Sequence, residues 1–207
     1  MTSEIFNQFL RELHTIYNGL DSSEKETKRH ILSVRNTLSS LIEIPLPATD
    51  KKPGLKPVCR YLERAINTGR TGPFSTLCET LIQVSPYLGW EYGYETIPDH
   101  LYDSYAYTEI AGPKGSVYSE NIASGLVLLA PGCHYPEHSH PDIEESYLCV
   151  SGSVTQNNND VVTAGDILYN PPGYLHSLSV DAAGACLLAY SWNAPAEILR
   201  NNSMKFD

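Results

Sequence analysis

The sequence predicts a mainly β protein: a small barrel or sandwich of short strands with a helical layer at its N-terminal end. Two observations carry that reading. From about Trp90 onward, short runs rich in Val, Tyr, Ile and Leu are separated by Gly, Pro, Asn and Asp, the texture of strands joined by turns. Before that point apolar residues recur with a period near 3.6, which marks amphipathic helices.

The elements follow in order. Ile5, Phe6, Phe9, Leu10, Leu13, Ile16 and Tyr17 form one apolar stripe, with Ser3 as the candidate N-cap and Gly19 as the stop. The stripe is expected to serve as core or as a homodimer contact. A second helix is expected through SSEKETKRHILSVRNTLSSLIEI, and the prolines of EIPLPATDKKPGLKPV make that stretch a loop. VCRYLERAINTG and FSTLCETLIQVS are two shorter helical patterns. The strand candidates are GWEYGYETI, LYDSYAYTEIAG, VYSENIASGLVLLAP, ESYLCVSGSVTQ, VVTAGDILYNPPG and ACLLAYSW. NNND at 157–160 reads as a hairpin turn, because Asn tolerates a positive φ. Residues 1–88 are therefore expected to form a helical segment packed on a barrel of residues 89–207, which carries the functional site.

Composition narrows the partners. Of 207 residues, 42% are hydrophobic and 18% charged, as in an ordinary soluble globular protein. Lys plus Arg at 14 against Asp plus Glu at 24 gives a net charge of −10, which argues against nucleic acid and anionic membranes as partners. No run approaches the ~20 apolar residues of a membrane span, and MTSEIFNQFLRELH lacks the pattern of a secretory signal. The five cysteines are odd in number and never in a CxxC pair, so reduced thiols in a cytoplasm are expected. The 14 tyrosines against 4 phenylalanines are unusual. A core has no use for so many hydroxyls, so some are expected to line a polar cavity.

Residues 131–147, PGCHYPEHSHPDIEESY, hold three of the seven histidines. In a strand, residues two apart share a face, so His138 pairs with His140 and Glu145 with Tyr147. Imidazoles converging with a carboxylate are ligands for a borderline divalent metal. GDILYNPPGYLHSL supplies His176, after a Pro-Pro-Gly turn and on the strand expected to follow the NNND hairpin. His134 reads as a loop residue or a donor to a ligand. Cys133 and Cys149 read as buried apolar filler.

The spacing Gly132, His138, His140, Glu145, Gly152, followed by Gly165, Pro171, Gly173 and His176, resembles the two signature motifs of the cupin superfamily. Val180 stands where the second motif has Asn, a position outside the ligand set. The resemblance covers about the last half of the chain and implies a cupin-type β-barrel, the double-stranded β-helix, with one divalent transition metal (Zn, Fe, Mn, Co or Ni). Glu144 competes with Glu145 for the carboxylate role.

YPEHSH, the ExY at Glu145 and Tyr147, the closing LLAYSW and the helical N-terminal segment resemble more narrowly the cupin-type dimethylsulfoniopropionate (DMSP) lyases. That resemblance implies metal ligation by His140, Glu145 and His176, with His138 in or beside the first shell. It also implies Tyr147 as the base, Tyr135 as a second catalytic and pocket residue, and a small zwitterionic substrate contacted by Tyr135, His138 and Trp192. The implied reaction is β-elimination to dimethyl sulfide and acrylate. Two rivals stand beside it: another cupin metalloenzyme of the iron dioxygenase or isomerase type, and a cupin that binds a small molecule without turnover.

Overall fold

The structure, a computed structural model, describes residues 2–43, 49, 51–94 and 96–201. Residues 44–48 and 50 of the expected proline-bearing loop, and Glu95 of the first expected strand, lie outside the described residues.

Four helices come first: α1 (Thr2–Gly19), α2 (Lys25–Glu43), α3 (Leu62–Gly69) and α4 (Ser75–Val84). A short helix, α5 (Asp99–Tyr102), leads into β1 (Tyr105–Gly112), β2 (Val117–Tyr118), β3 (Ala123–Leu129), β4 (His134–His138) and β5 (Glu144–Ser151). Then come β6 (Ser153–Gln156), β7 (Asp160–Thr163), β8 (Ile167–Asn170), β9 (His176–Val180) and β10 (Cys186–Asn193), with α6 (Ala196–Asn201) behind them. A six-stranded sheet has the order β2-β1-β3-β10-β5-β8, and a four-stranded sheet the order β4-β9-β6-β7. Facing each other, they make the cupin barrel.

Strand alternation sorts the apolar side chains into two cores. In β3, Leu126 and Leu128 pack outward with Phe9, Leu10, Leu13, Leu77 and Leu81 of the helices, whereas Val127 and Leu129 point into the barrel. In β5, Leu148 and Val150 join the helical side, and Tyr147 and Cys149 the interior. The six-stranded sheet is therefore buried on both faces, which is why its strands read as nearly continuous apolar runs. Each fully buried leucine of these cores stabilises the fold by about 1.5–3 kcal/mol. The stripe of α1 is spent on this internal core, with Phe9, Leu10, Leu13 and Tyr17 fully buried.

Several expectations need correction. Ser3 lies inside the first turn of α1 instead of capping it. Residues 58–61, the start of the third helical pattern, belong to a 3₁₀ turn before α3 that begins at Pro57. GWEYGYETI is an irregular segment that meets β1 through a Glu91–Tyr107 bridge and a Tyr94–Tyr105 ring contact. His176 is on β9, two strands beyond the one that follows the NNND turn.

That turn does reach the site by another route. Asn157 and Asn158 take φ of +50° and +59°, and Asn157 Oδ1 accepts the N–H of Ser177 at 2.8 Å, beside His176. Gly152 between β5 and β6 has φ +80°, and a Cβ there would stand 2.4 Å from the Ala185 carbonyl oxygen. Only glycine fits that turn.

Candidate metal centre and active site

β4 and β9 are antiparallel neighbours, and their register sets His138 directly across from His176. His140 follows β4 by two residues, and its carbonyl accepts the Gly173 N–H at 2.9 Å, which ties the two histidine-bearing loops together. Glu145 arrives from the opposite sheet, where β5 lies between β8 and β10. All four side chains are buried.

The ligand atoms of His138, His140 and His176 lie within 4.8 Å of one another. Glu145 Oε2 stands 3.1 Å from His176 Nε2, and Oε1 stands 3.8 Å from His140 Nε2. His138 and His176 each place Nδ1 2.9 Å from the carbonyl two residues earlier, Pro136 O and Tyr174 O. Donation from Nδ1 leaves the lone pair on Nε2, as a metal ligand requires. The Nε2 atoms of all three histidines are buried without a hydrogen-bond partner. Orphaned donors or acceptors of this kind are costly unless something fills the gap, and three imidazole nitrogens with a carboxylate suit a divalent transition metal.

The electrostatics favour the neutral ligand form at two of the three histidines. Burial holds His138 down to about 4, with His176 adding to the effect, and burial also lowers His140. Both shifts favour the neutral imidazole. For His176 burial acts downward, but the Glu145 carboxylate outweighs it and the net shift is upward. Burial would raise Glu145, yet His176, His140 and His138 hold it well below the usual carboxylate range.

A matching family model completes the picture: that of the dimethylsulfoniopropionate lyases covers residues 30–188. The chain belongs to this family. A curated relative from Cereibacter sphaeroides, provisionally named dimethylsulfoniopropionate lyase DddL, is 38% identical over 197 residues, covering 95% of this chain and 85% of its own. Two crystal structures are similar in fold at 18% identity. The DMSP lyase DddQ from Ruegeria pomeroyi DSS-3 covers 92% of both chains with a TM-score of 0.69. A structure from a study of the DMSP lyases RdDddP and RnDddQII covers 94% of both with 0.66.

In this lyase-family chain several aromatic residues gather beside the histidines. Tyr105, Tyr107, Tyr135, Tyr147, Tyr190 and Trp192 line a narrow cavity with about 10 Å³ of space, room for about one water. Tyr135 packs edge-on against His138 at 4.8 Å between ring centres, and Trp192 lies 5.0 Å from His140. Tyr94, from the irregular segment, hydrogen-bonds the Tyr135 hydroxyl. Tyr147 is buried on the same face of β5 as Glu145, and burial together with the Glu145 charge pushes its hydroxyl well above the ordinary tyrosine value. Of the three tyrosines Tyr102, Tyr105 and Tyr107, only the last two line the cavity; Tyr102 is exposed. His134 is on the barrel's outer side, bonded to Ser179 Oγ at 2.9 Å. Cys133 and Cys149 are buried free thiols.

The two candidate carboxylates part company. Glu144 points out of the barrel toward α2, where Arg29 Nη2 reaches it at 2.5 Å and Asn193 Nδ2 at 3.3 Å. His30 and Arg29 hold its carboxyl down to about 2 from an ordinary value of 4.5. A depressed carboxyl stabilises the fold above the unfolded value and loses that contribution as pH falls through the folded one. Glu144→Gln is therefore expected to be less stable than wild type at neutral pH, with the gap narrowing as pH drops below 4.5 toward about 2. Urea unfolding at a series of pH values checks this; a constant gap would refute it.

Asn170 went unnoticed in the sequence. From β8 it donates Nδ2–H to Glu145 Oε2 at 2.9 Å, while Trp192 donates Nε1–H to Oε1 at 2.6 Å. Both oxygens are thus aimed. Its only sequence mark is a place just before Pro171, at the edge of the second motif. Asn170→Ala is expected to weaken metal affinity about 10–100-fold, the usual cost of losing a partner behind a ligand. Competition with a chromophoric chelator measures it, and unchanged affinity would remove Asn170 from the site.

Proposed function

We propose that this member of the family cleaves dimethylsulfoniopropionate to dimethyl sulfide and acrylate by metal-dependent β-elimination, at the centre formed by His140, Glu145 and His176 with His138 beside them. The observation that carries the reading is the group of three buried histidine Nε2 atoms, none of them hydrogen-bonded, gathered with the Glu145 carboxylate beside an aromatic cavity that Tyr147 lines. A divalent transition metal held there supplies positive charge that favours the ionised form of a nearby phenol and stabilises charge developing on the substrate carboxylate.

The chain's own residues do the rest. Tyr147, as phenolate, takes the proton α to the carboxylate; the released electron pair forms the carbon–carbon double bond, and the C–S bond breaks with its electrons leaving on dimethyl sulfide. Tyr147 then returns the proton to solvent. A sulfonium has no hydrogen-bond donors, so ring faces hold it best, at about 1–2 kcal/mol per ring. Tyr135 and Trp192 are the rings nearest the histidines and serve that role. The five free cysteines support the cytoplasmic setting expected from the sequence, and among the described residues no helix is long and apolar enough to cross a membrane.

Headspace measurement of dimethyl sulfide from DMSP, with and without chelator, tests the proposal. Release that stops on chelation and resumes on adding metal is expected. Release indifferent to chelator would overturn the metal dependence, and no release at all would favour a binding protein.

A further inference from the structure

The outer face of β5 carries a buried polar network that the chemistry just described does not use. His30 of α2 is fully buried. Its Nε2 lies 2.8 Å from Ser146 Oγ, and the Tyr17 hydroxyl of α1 reaches the same oxygen at 2.7 Å. One assignment satisfies that oxygen: Tyr17 and His30 both donate to Ser146 Oγ, whose own proton goes to the Ser191 carbonyl at 3.5 Å. On its other side His30 Nδ1 has no hydrogen-bond partner, with Glu144 Oε2 3.7 Å away. A single imidazole is thus bonded to Ser146 and packed beside Glu144, the two residues that flank Glu145. Packing alone would ask for leucine here, since buried polar groups are costly unless each finds its partner.

We propose that His30 is a positioning residue for the lyase reaction: by holding Ser146 from behind, it fixes the roll of β5 and so the direction in which Glu145 and Tyr147 face the centre. The proposal rests on the roles given above to those two residues. Functional groups must be held within about 0.5 Å and 10–20° of their working geometry. β10 and β8 fix the edges of β5 through the backbone, while His30 and Tyr17 restrain its outer face through Ser146. The helical layer thereby acts on the chemistry without reaching the cavity.

The test uses the full chain loaded with cobalt(II), comparing wild type with His30→Leu, His30→Gln and His30→Asn by visible absorption, kcat and KM for dimethyl sulfide release, and melting temperature. For His30→Leu we expect kcat to fall about 10–100-fold, KM to stay within about twofold, and the cobalt band to shift. His30→Gln restores most of the loss, because its amide N–H stands where Nε2–H stood; His30→Asn, whose amide lies on the Nδ1 side, does not. If His30→Leu fails to fold, Ser146→Ala and Tyr17→Phe are judged by the same readouts. Variants that melt earlier but keep wild-type kcat and cobalt band overturn the positioning role and leave a purely structural one. A wild type that takes up no cobalt or releases no dimethyl sulfide overturns the reading of the centre itself, and this proposal with it.

Discussion

Tyr147→Phe is expected to keep its metal and its fold while losing about 10²–10⁴-fold in kcat, the usual worth of a positioned general base. The substitution removes one oxygen and leaves the buried ring in place. Because the lost interaction belongs to proton abstraction, kcat and kcat/KM should fall together while substrate affinity changes little. The hydroxyl is pushed well above its ordinary value by burial and by Glu145 in the protein without metal, so the phenolate depends on positive charge being brought to it. Steady-state kinetics on metal-saturated protein decide the matter. Retention of most of the wild-type kcat would clear Tyr147 of the role and move it to Tyr135, whose hydroxyl lies in the same cavity.

The second large effect is expected from His140→Ala combined with His176→Ala. Two of the three orphaned Nε2 atoms disappear, and the Glu145 carboxylate is left without its two closest imidazoles. Elemental analysis should find metal well below one equivalent, and dimethyl sulfide release should vanish. Circular dichroism on the same sample guards against simple unfolding. One equivalent of metal surviving in a folded double variant would place the binding site elsewhere.

The barrel was legible because its strands are short, apolar and punctuated by turn residues, and the histidines because their spacing repeats that of known motifs. Glu145 could be separated from Glu144 only partly, since two adjacent carboxylates in a strand differ by face and a sequence does not name the faces. The structure separates them by what each face of β5 meets: Arg29 and His30 outside for Glu144, His140 and His176 inside for Glu145. Asn170 was illegible because a single asparagine before a proline is an ordinary turn residue. His30 was illegible for a similar reason, as one polar position on an otherwise regular helix. The GWEYGYETI misreading has a physical cause too. Its alternation of rings and polar residues imitates a strand, but Gly93 at φ +77° breaks the extended run.

The two-sidedness of β5 has a consequence for how such a chain can change over time. Even-numbered positions from Glu144 to Val150 answer to the helical layer and odd-numbered ones from Glu145 to Cys149 to the cavity. Away from Ser146, whose partners Tyr17 and His30 bear on how the cavity side is held, substitutions on one side leave the other's residues in place. Length is different. Inserting or deleting a single residue before Glu145 would exchange the faces of everything up to the Gly152 turn, sending serine and leucine into the cavity and burying tyrosine against helices. Along this strand, tolerance to spelling coexists with intolerance to a shift in frame.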